Sequence, residues 1–297
     1  MIGADPEDQW CHQNPPRFRQ ALTFTEATTG FSARLIEKDY FCSLVLHDLS
    51  VLFAQDLIFK GGTCLSKVHA EFFRLSEDLD FSISISPDAS RPVRRRASMA
   101  FREHVTALPS RHALFELADA ITGHNDSRQY NGRFAYQSIV TGEREHIKIE
   151  VSLREANLQP SEILTAKTLL HDPHSGQPVH PGVTVRVLGV QEAYAEKARA
   201  ALTRKEPAIR DFFDIAHAEK LRLVEFGSQT MIDLVTAKLA VDSTASIDLS
   251  ERKIADLQSQ IATQLRPVLR PADYEAFDLQ SVIKLLGELI LRPRPIS

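Results

Sequence analysis

Residues 58–81, IFKGGTCLSKVHAEFFRLSEDLDF, constrain this chain more than any other stretch. An apolar run stops at Lys60-Gly61-Gly62-Thr63, and Leu65, Val68 and Phe72 then recur at roughly helical spacing. The stretch closes on Ser76-Glu77-Asp78-Leu79-Asp80-Phe81, which runs into a second apolar strand reaching Ile85. The order is therefore strand, glycine turn, helix, strand. Residues i and i+2 of a strand share a face, so Asp78 and Asp80 point the same way, with Cα atoms about 7 Å apart. Paired carboxylates on a rigid strand suit a hard, oxygen-seeking cation such as Mg²⁺. The Gly-Gly-Thr amides, at a helix N-terminus, suit a phosphate. The pattern predicts a nucleotide–metal site. It is neither a Walker A loop nor G-x-G-x-x-G, and the chain has no G-x-S-x-G and no H-E-x-x-H.

The rest of the chain sets limits. With 297 residues, 43% of them hydrophobic, it can build a large core. A net charge of −4 leaves any nucleic-acid surface to a local patch. Cys11, Cys42 and Cys64 are odd in number and lack metal-ligand spacing, which predicts buried, reduced thiols in a cytoplasmic protein. The N-terminus has no apolar core of a secretory signal. The longest apolar region, 40–53, is broken by His47 and Asp48 and is too short to span a bilayer, so no membrane partner is expected.

Helical spacing predicts a short helix over 18–29 and a longer one over 32–53, with Glu37-Lys38-Asp39 on its polar side. Arg91, Arg94, Arg95 and Arg96, with Arg102 beyond, form either a solvated helix face or a phosphate-binding patch. Residues 133–140 and 146–153 alternate as two strands joined by a hairpin. On the second, Lys148, Glu150 and Ser152 face away from Ile147, Ile149 and Val151, which makes Glu150 a candidate third carboxylate. Residues 155–182 read as loops, and His171, His174 and His180 among them match no standard zinc spacing. Residues 183–188 alternate as a strand. From Gly189 the pattern is helical, which divides the chain into 1–188 and 189–297. Lys197 lies on an apolar helical stripe, where an unpaired ammonium is costly; it either snorkels outward or meets an anion. Asp211 and Asp214 are i, i+3 neighbours on the next helix.

Taken in order, Lys60-Gly61-Gly62-Thr63-x-Leu65, Arg74-x-Ser76-x-Asp78-x-Asp80, Ile149-Glu150-Val151, Glu196-Lys197-Ala198-x-Ala200 and Arg210-Asp211-x-x-Asp214 resemble the nucleotidyltransferase AbiEii/AbiGii toxin family of type IV toxin–antitoxin and abortive-infection systems. Glu37-Lys38-Asp39-Tyr40 also looks like the family. The resemblance covers 37–215, and the segment 91–96 departs from it. It implies an α/β (α+β) fold: a DNA polymerase β-like nucleotidyltransferase core with a small mixed sheet, followed by a helical C-terminal domain. It implies Mg²⁺ on Asp78, Asp80 and, by strand logic as much as resemblance, Glu150. Lys60, Gly61, Gly62, Thr63, Ser76 and Asp211 would surround the NTP, and Lys197 and Asp214 would complete the catalytic set. The activity it implies is nucleotide transfer to the 3′ end of tRNA, which blocks aminoacylation. The Arg91–Arg102 patch, which no family motif requires, tilts the charge reading toward such a polyanionic acceptor. A cognate antitoxin would act without a stable complex or by modifying the toxin, and a phosphate on Ser76 would repel the triphosphate. Two alternatives use the same fold: an antibiotic-type small-molecule nucleotidyltransferase, and a non-catalytic nucleotide-binding module.

Overall fold

The computed structural model describes residues 10–54, 57–241 and 246–291. Helices α1 (Pro15–Thr29) and α2 (Ala33–Asp48) and the turn α3 (Ser50–Phe53) precede β1 (Leu57–Lys60). The Asn14 side chain caps α1 by accepting from the Arg17 amide, and Gly30, in the left-handed region, ends it. β1 runs directly into α4 (Gly61–Cys64) and a π-helical turn, Leu65–His69; β2 (Asp78–Ile83) then returns. Three short helices, α5 (Arg91–Ala97), α6 (Met99–Thr106) and α7 (Leu108–Arg111), lead to β3 (Glu116–His124), β4 (Gln129–Gln137) and β5 (Arg144–Ser152). After β6 (Glu162–Ala166) and β7 (Val183–Val187) come α8 (Val190–Thr203), α9 (Ile209–Leu221), α10 (Gln229–Ala240), α11 (Glu251–Gln260), α12 (Pro271–Glu275) and α13 (Leu279–Leu291).

The strands form one mixed seven-stranded sheet in the order β3-β4-β5-β2-β1-β7-β6. β2 is antiparallel to β1 and parallel to β5, and β1 is parallel to β7. One face is apolar: Phe59, Leu79, Phe81, Phe134, Ile149, Val151 and Val185 bury against α1, α2 and α6. A second apolar cluster joins the C-terminal helices and also takes in Ile58, Leu65, Ala70 and Phe73 from the β1–α4 region. Ile58 and Phe59 are neighbours on β1 and enter different clusters, as alternation requires.

Two sequence readings need correction. Glu37, Lys38 and Asp39 do not lie on a solvated side of α2; all three are buried. α2 is covered on every side, and charges in such a place need partners. Glu37 accepts from the Ile139 amide at 2.7 Å and from the Ser138 hydroxyl; Lys38 pairs with Glu77 at 3.1 Å and Asp39 with Lys67 at 2.7 Å. The second concerns the loops expected over 155–182, which include a strand, 162–166; 116–124 is a further strand that the sequence pattern does not show. Their mostly exposed residues carry too little alternation to reveal them, and β3 pairs with β4 through register shifts. Among the described residues no helix is long and apolar enough to cross a membrane. Cys11, Cys42 and Cys64 are free and buried.

Candidate active site

The sheet register assembles half of the site. Lys60 stands opposite Asp80, Asp80 opposite Glu150, and Asp78 opposite Lys148. Lys60, Asp80 and Glu150 therefore form one row across three strands. Leu79, Phe81, Ile149 and Val151 are wholly buried on the other face, so alternation forces the carboxylates outward. The aspartates lie within β2 itself, not ahead of it.

The two glycines are required by what they touch. Gly61 has φ 75°, and a Cβ there would fall 2.2 Å from Asp80 Oδ2. A Cβ on Gly62 would fall 2.5 Å from Arg74 Nη2 and 3.0 Å from Ser76 Oγ. The glycine turn thus lies directly against the downstream Arg74-x-Ser76-x-Asp78-x-Asp80 motif. Thr63 is buried, and its hydroxyl donates to the Asp78 carbonyl oxygen, a tie between α4 and β2. Ser76 is half-buried beside Gly62.

The helices supply the other half. Lys197 on α8 meets two anions on α9: Nζ is 2.7 Å from Asp211 and 2.9 Å from Asp214. Burial opposes its charge, but Asp211 and then Asp214 hold its pKa above the usual lysine range. Asp214 is fully buried in a bidentate pair with Arg74, whose Nη2 lies 2.8 Å from Oδ2. Burial raises the Asp214 pKa, and Arg74 and Lys197 outweigh it, so the carboxyl stays below its ordinary value. Asp214 therefore locks the helices to the β1–β2 segment through Arg74. Asp211 also meets Arg204 at 3.2 Å.

Lys60, Gly61, Gly62, Asp78, Asp80, Glu150, Lys197 and Asp211 line one cavity of about 330 Å³; Thr63, Ser76 and Asp214 do not. Lys148, Arg154, Arg199 and Arg204 join them, so the cavity holds many cations besides its acids. Burial, then Glu150, then Asp78 push the Asp80 carboxyl up to about 6. Asp78 is also raised, chiefly by burial. Carboxylates crowded enough to favour protonation are oxygen donors whose repulsion a hard divalent cation relieves. Among the described residues no three His, Cys, Asp or Glu side chains stand already gathered as metal ligands, the loop histidines included. Glu150 instead pairs with Lys148 at 3.1 Å.

Sequence reasoning missed the brace behind this cavity. Lys238, on α10 and 1% exposed, meets Glu192 at 2.7 Å, Glu155 at 3.1 Å and Glu196 at 3.1 Å. Glu196 in turn meets Lys60 at 2.6 Å. The signal was the one Lys197 gives: a lone lysine on an apolar helical stripe, here with Met231, Leu234 and Val235.

A family model for the nucleotidyl transferase AbiEii toxin of type IV toxin–antitoxin systems matches residues 45–283, most of the chain. The chain belongs to the AbiEii family. It is therefore a nucleotidyltransferase toxin by family, as its ordered motifs imply, and a cognate antitoxin belongs to such a system. JHP933 from Helicobacter pylori superposes with a TM-score of 0.46 at 17% identity, covering 91% of this AbiEii chain and 90% of that one. A protein from the same organism, described provisionally as a nucleotidyltransferase, gives 0.46 and 17%, covering 91% and 92%. No curated protein matches the chain.

The arginine segment lies elsewhere. Phe101 of α6 packs on Phe81, 5.8 Å between ring centres, and Arg102 sits over Tyr130. Both rings are on the apolar face of the sheet, so the Arg91–Arg102 helices are on the side opposite Asp80. Arg94 is buried and braces Asp126, 2.5 Å away.

Proposed function

We propose that this AbiEii protein transfers a nucleotide from an NTP, bound with Mg²⁺, onto the 3′ end of tRNA, and so blocks aminoacylation. One observation carries the reading: the carboxylates of β2 and β5 and the Lys197–Asp211 pair line the same cavity, beside Gly61 and Gly62. Asp78 and Asp80, with Glu150 released from Lys148, are the residues that hold the ion. When bound, Mg²⁺ neutralises phosphate charge and lowers the pKa of the attacking hydroxyl. The triphosphate lies against Gly61 and Gly62, with Lys60 and Lys197 as fixed positive charge. An acceptor ribose oxygen bonds to the α-phosphorus as the bond to pyrophosphate breaks, and the hydroxyl proton passes to a carboxylate, for which Glu150 is placed. Arg74, Asp214 and Thr63 keep the two halves in register without touching substrate. The cognate antitoxin would act on this enzyme without a stable complex or by modifying it.

Incubation with total tRNA and each of four α-labelled NTPs tests the reading. Label entering tRNA with the wild type and not with Asp78→Ala supports it. Label that enters only small molecules, or none at all, sinks it.

A further inference from the structure

The face that carries the carboxylates does not end at Glu150. Lys148 and Glu150 continue by register to Arg133 and Asn131 on β4, and these to Asp119 and Thr122 on β3. Thr122, Asn131, Glu150 and Asp80 therefore make one row from the outer strand of the sheet to the catalytic cavity. Three strand spacings give that row a length of about 14 Å. A second cavity, of about 600 Å³, lies over the strip and is lined by Thr122, Asn131, Arg133 and Lys148 among others. Lys148 also lines the catalytic cavity, so the two adjoin.

The strip offers cations and hydrogen-bonding groups among small residues, Ala118, Ala120 and Gly132. Arg133 is 52% exposed and Lys148 41%. The Arg133 partner, Asp119, is 50% exposed, and an ion pair so open to water is readily exchanged for a phosphate. By contrast, a strand bound on the Arg91–Arg102 helices would be separated from Asp80 by the thickness of the sheet.

We propose that the β3–β5 strip is the acceptor platform: the single-stranded 3′ end of an RNA lies across it, with phosphates on Arg133 and Lys148 and its terminal ribose hydroxyl at Glu150. The assignment rests on the nucleotidyl-transfer reading for the identity of the acceptor. Phosphate contacts supply most of the affinity and its salt dependence, and several nucleotides fit in the length of the row.

The test is binding of 5′-labelled tRNA, followed by fluorescence anisotropy without NTP, so that it needs no turnover. Arg133→Glu is expected to weaken binding about tenfold or more, and Arg133→Ala to lower the salt slope by about one. Arg133→Lys should bind like the wild type, and all three should keep wild-type affinity for a fluorescent NTP analogue. Reversing Arg95 and Arg96 together to glutamate should change none of these. Binding that survives Arg133→Glu but fails with the Arg95/Arg96 pair overturns the proposal, as does a wild type that binds no tRNA. If tRNA binds through Arg133 and no label is ever transferred, the transfer reading falls and the strip stands.

Discussion

Asp80 touches Gly61 on one side and faces Glu150 on the other, and each neighbour leads to a prediction. Its carboxyl titrates near 6 against an ordinary value of 3.8, because burial, Glu150 and Asp78 all favour the neutral form. The stability this contributes is fully present below the ordinary value and is lost as pH rises through about 6. A divalent cation needs the ionised form, so its affinity moves in the opposite sense. Mg²⁺ should therefore raise the melting temperature more at pH 7.5 than at pH 5, which differential scanning fluorimetry reads directly. An equal shift at both pH values removes Asp80 from the ion's ligands. The other neighbour explains why residue 61 is glycine. Gly61→Ala meets both the positive φ and the Asp80 carboxylate, and should reduce transfer at least tenfold while the fold survives in circular dichroism. Wild-type rates in that variant would show that the turn relaxes freely.

At the scale of elements, buried charge pairs join the apolar contacts in aligning the helices with the sheet. Arg74 and Asp214 tie α9 to the segment before β2, and Lys238 ties α10 to α8 and to Glu155 beyond β5. Glu192 extends the second tie, accepting from the amides of Leu158 and Gln159 at 3.0 and 2.8 Å. Replacing one member of a buried set leaves the others uncompensated. Lys238→Met is expected to cost about 3–5 kcal/mol in urea unfolding, because three glutamates lose their shared cation. A change below about 1 kcal/mol would mean that Lys60 and Arg199 suffice to balance them. Lys197 plays a different part: it is 14% exposed at the cavity wall, and Asp214 keeps Arg74 without it. Lys197→Ala should abolish transfer and leave the melting temperature within a few degrees, and residual labelling above a hundredth of wild type would contradict its role.

The whole molecule has two apolar clusters that share one segment. Ile58, Leu65, Ala70 and Phe73 precede β2 in sequence but bury with the C-terminal helices. Phe73 stacks on His217, 4.3 Å between ring centres, immediately before the Arg74–Asp214 pair. A chain ending at residue 188 would expose that surface and strand a buried guanidinium. Such a fragment, expressed alone, should be digested by protease far faster than residues 1–188 within the full chain. Resistance equal to the full chain would show that the sheet and its own helices suffice.

How much of this was legible beforehand depended on how local each cause is. The glycine turn, the paired aspartates and the alternation around Glu150 follow from steric and pleat rules acting within a few residues, so they could be read directly. The ordered motifs were enough to reveal the family. Lys197 showed itself only as an anomaly, a charge on an apolar stripe, and the same anomaly at Lys238 went unread because no motif drew attention to it. The inside-out reading of Glu37, Lys38 and Asp39 and the side of the sheet on which the Arg91–Arg102 helices lie have a common cause. Whether a charge is buried, and on which side of a sheet a helix lies, depends on partners far along the chain, such as Glu77 for Lys38 and Ile139 for Glu37, 39 and 102 residues away. The sequence by itself determined which side chains could do chemistry. Tertiary structure decided which of them meet: it placed Lys60, Asp80 and Glu150 in one row, put Lys197 across from them, and turned Thr63 and Asp214 inward as ties. Strand order, register and helix docking are long-range choices, and no local pattern encodes them.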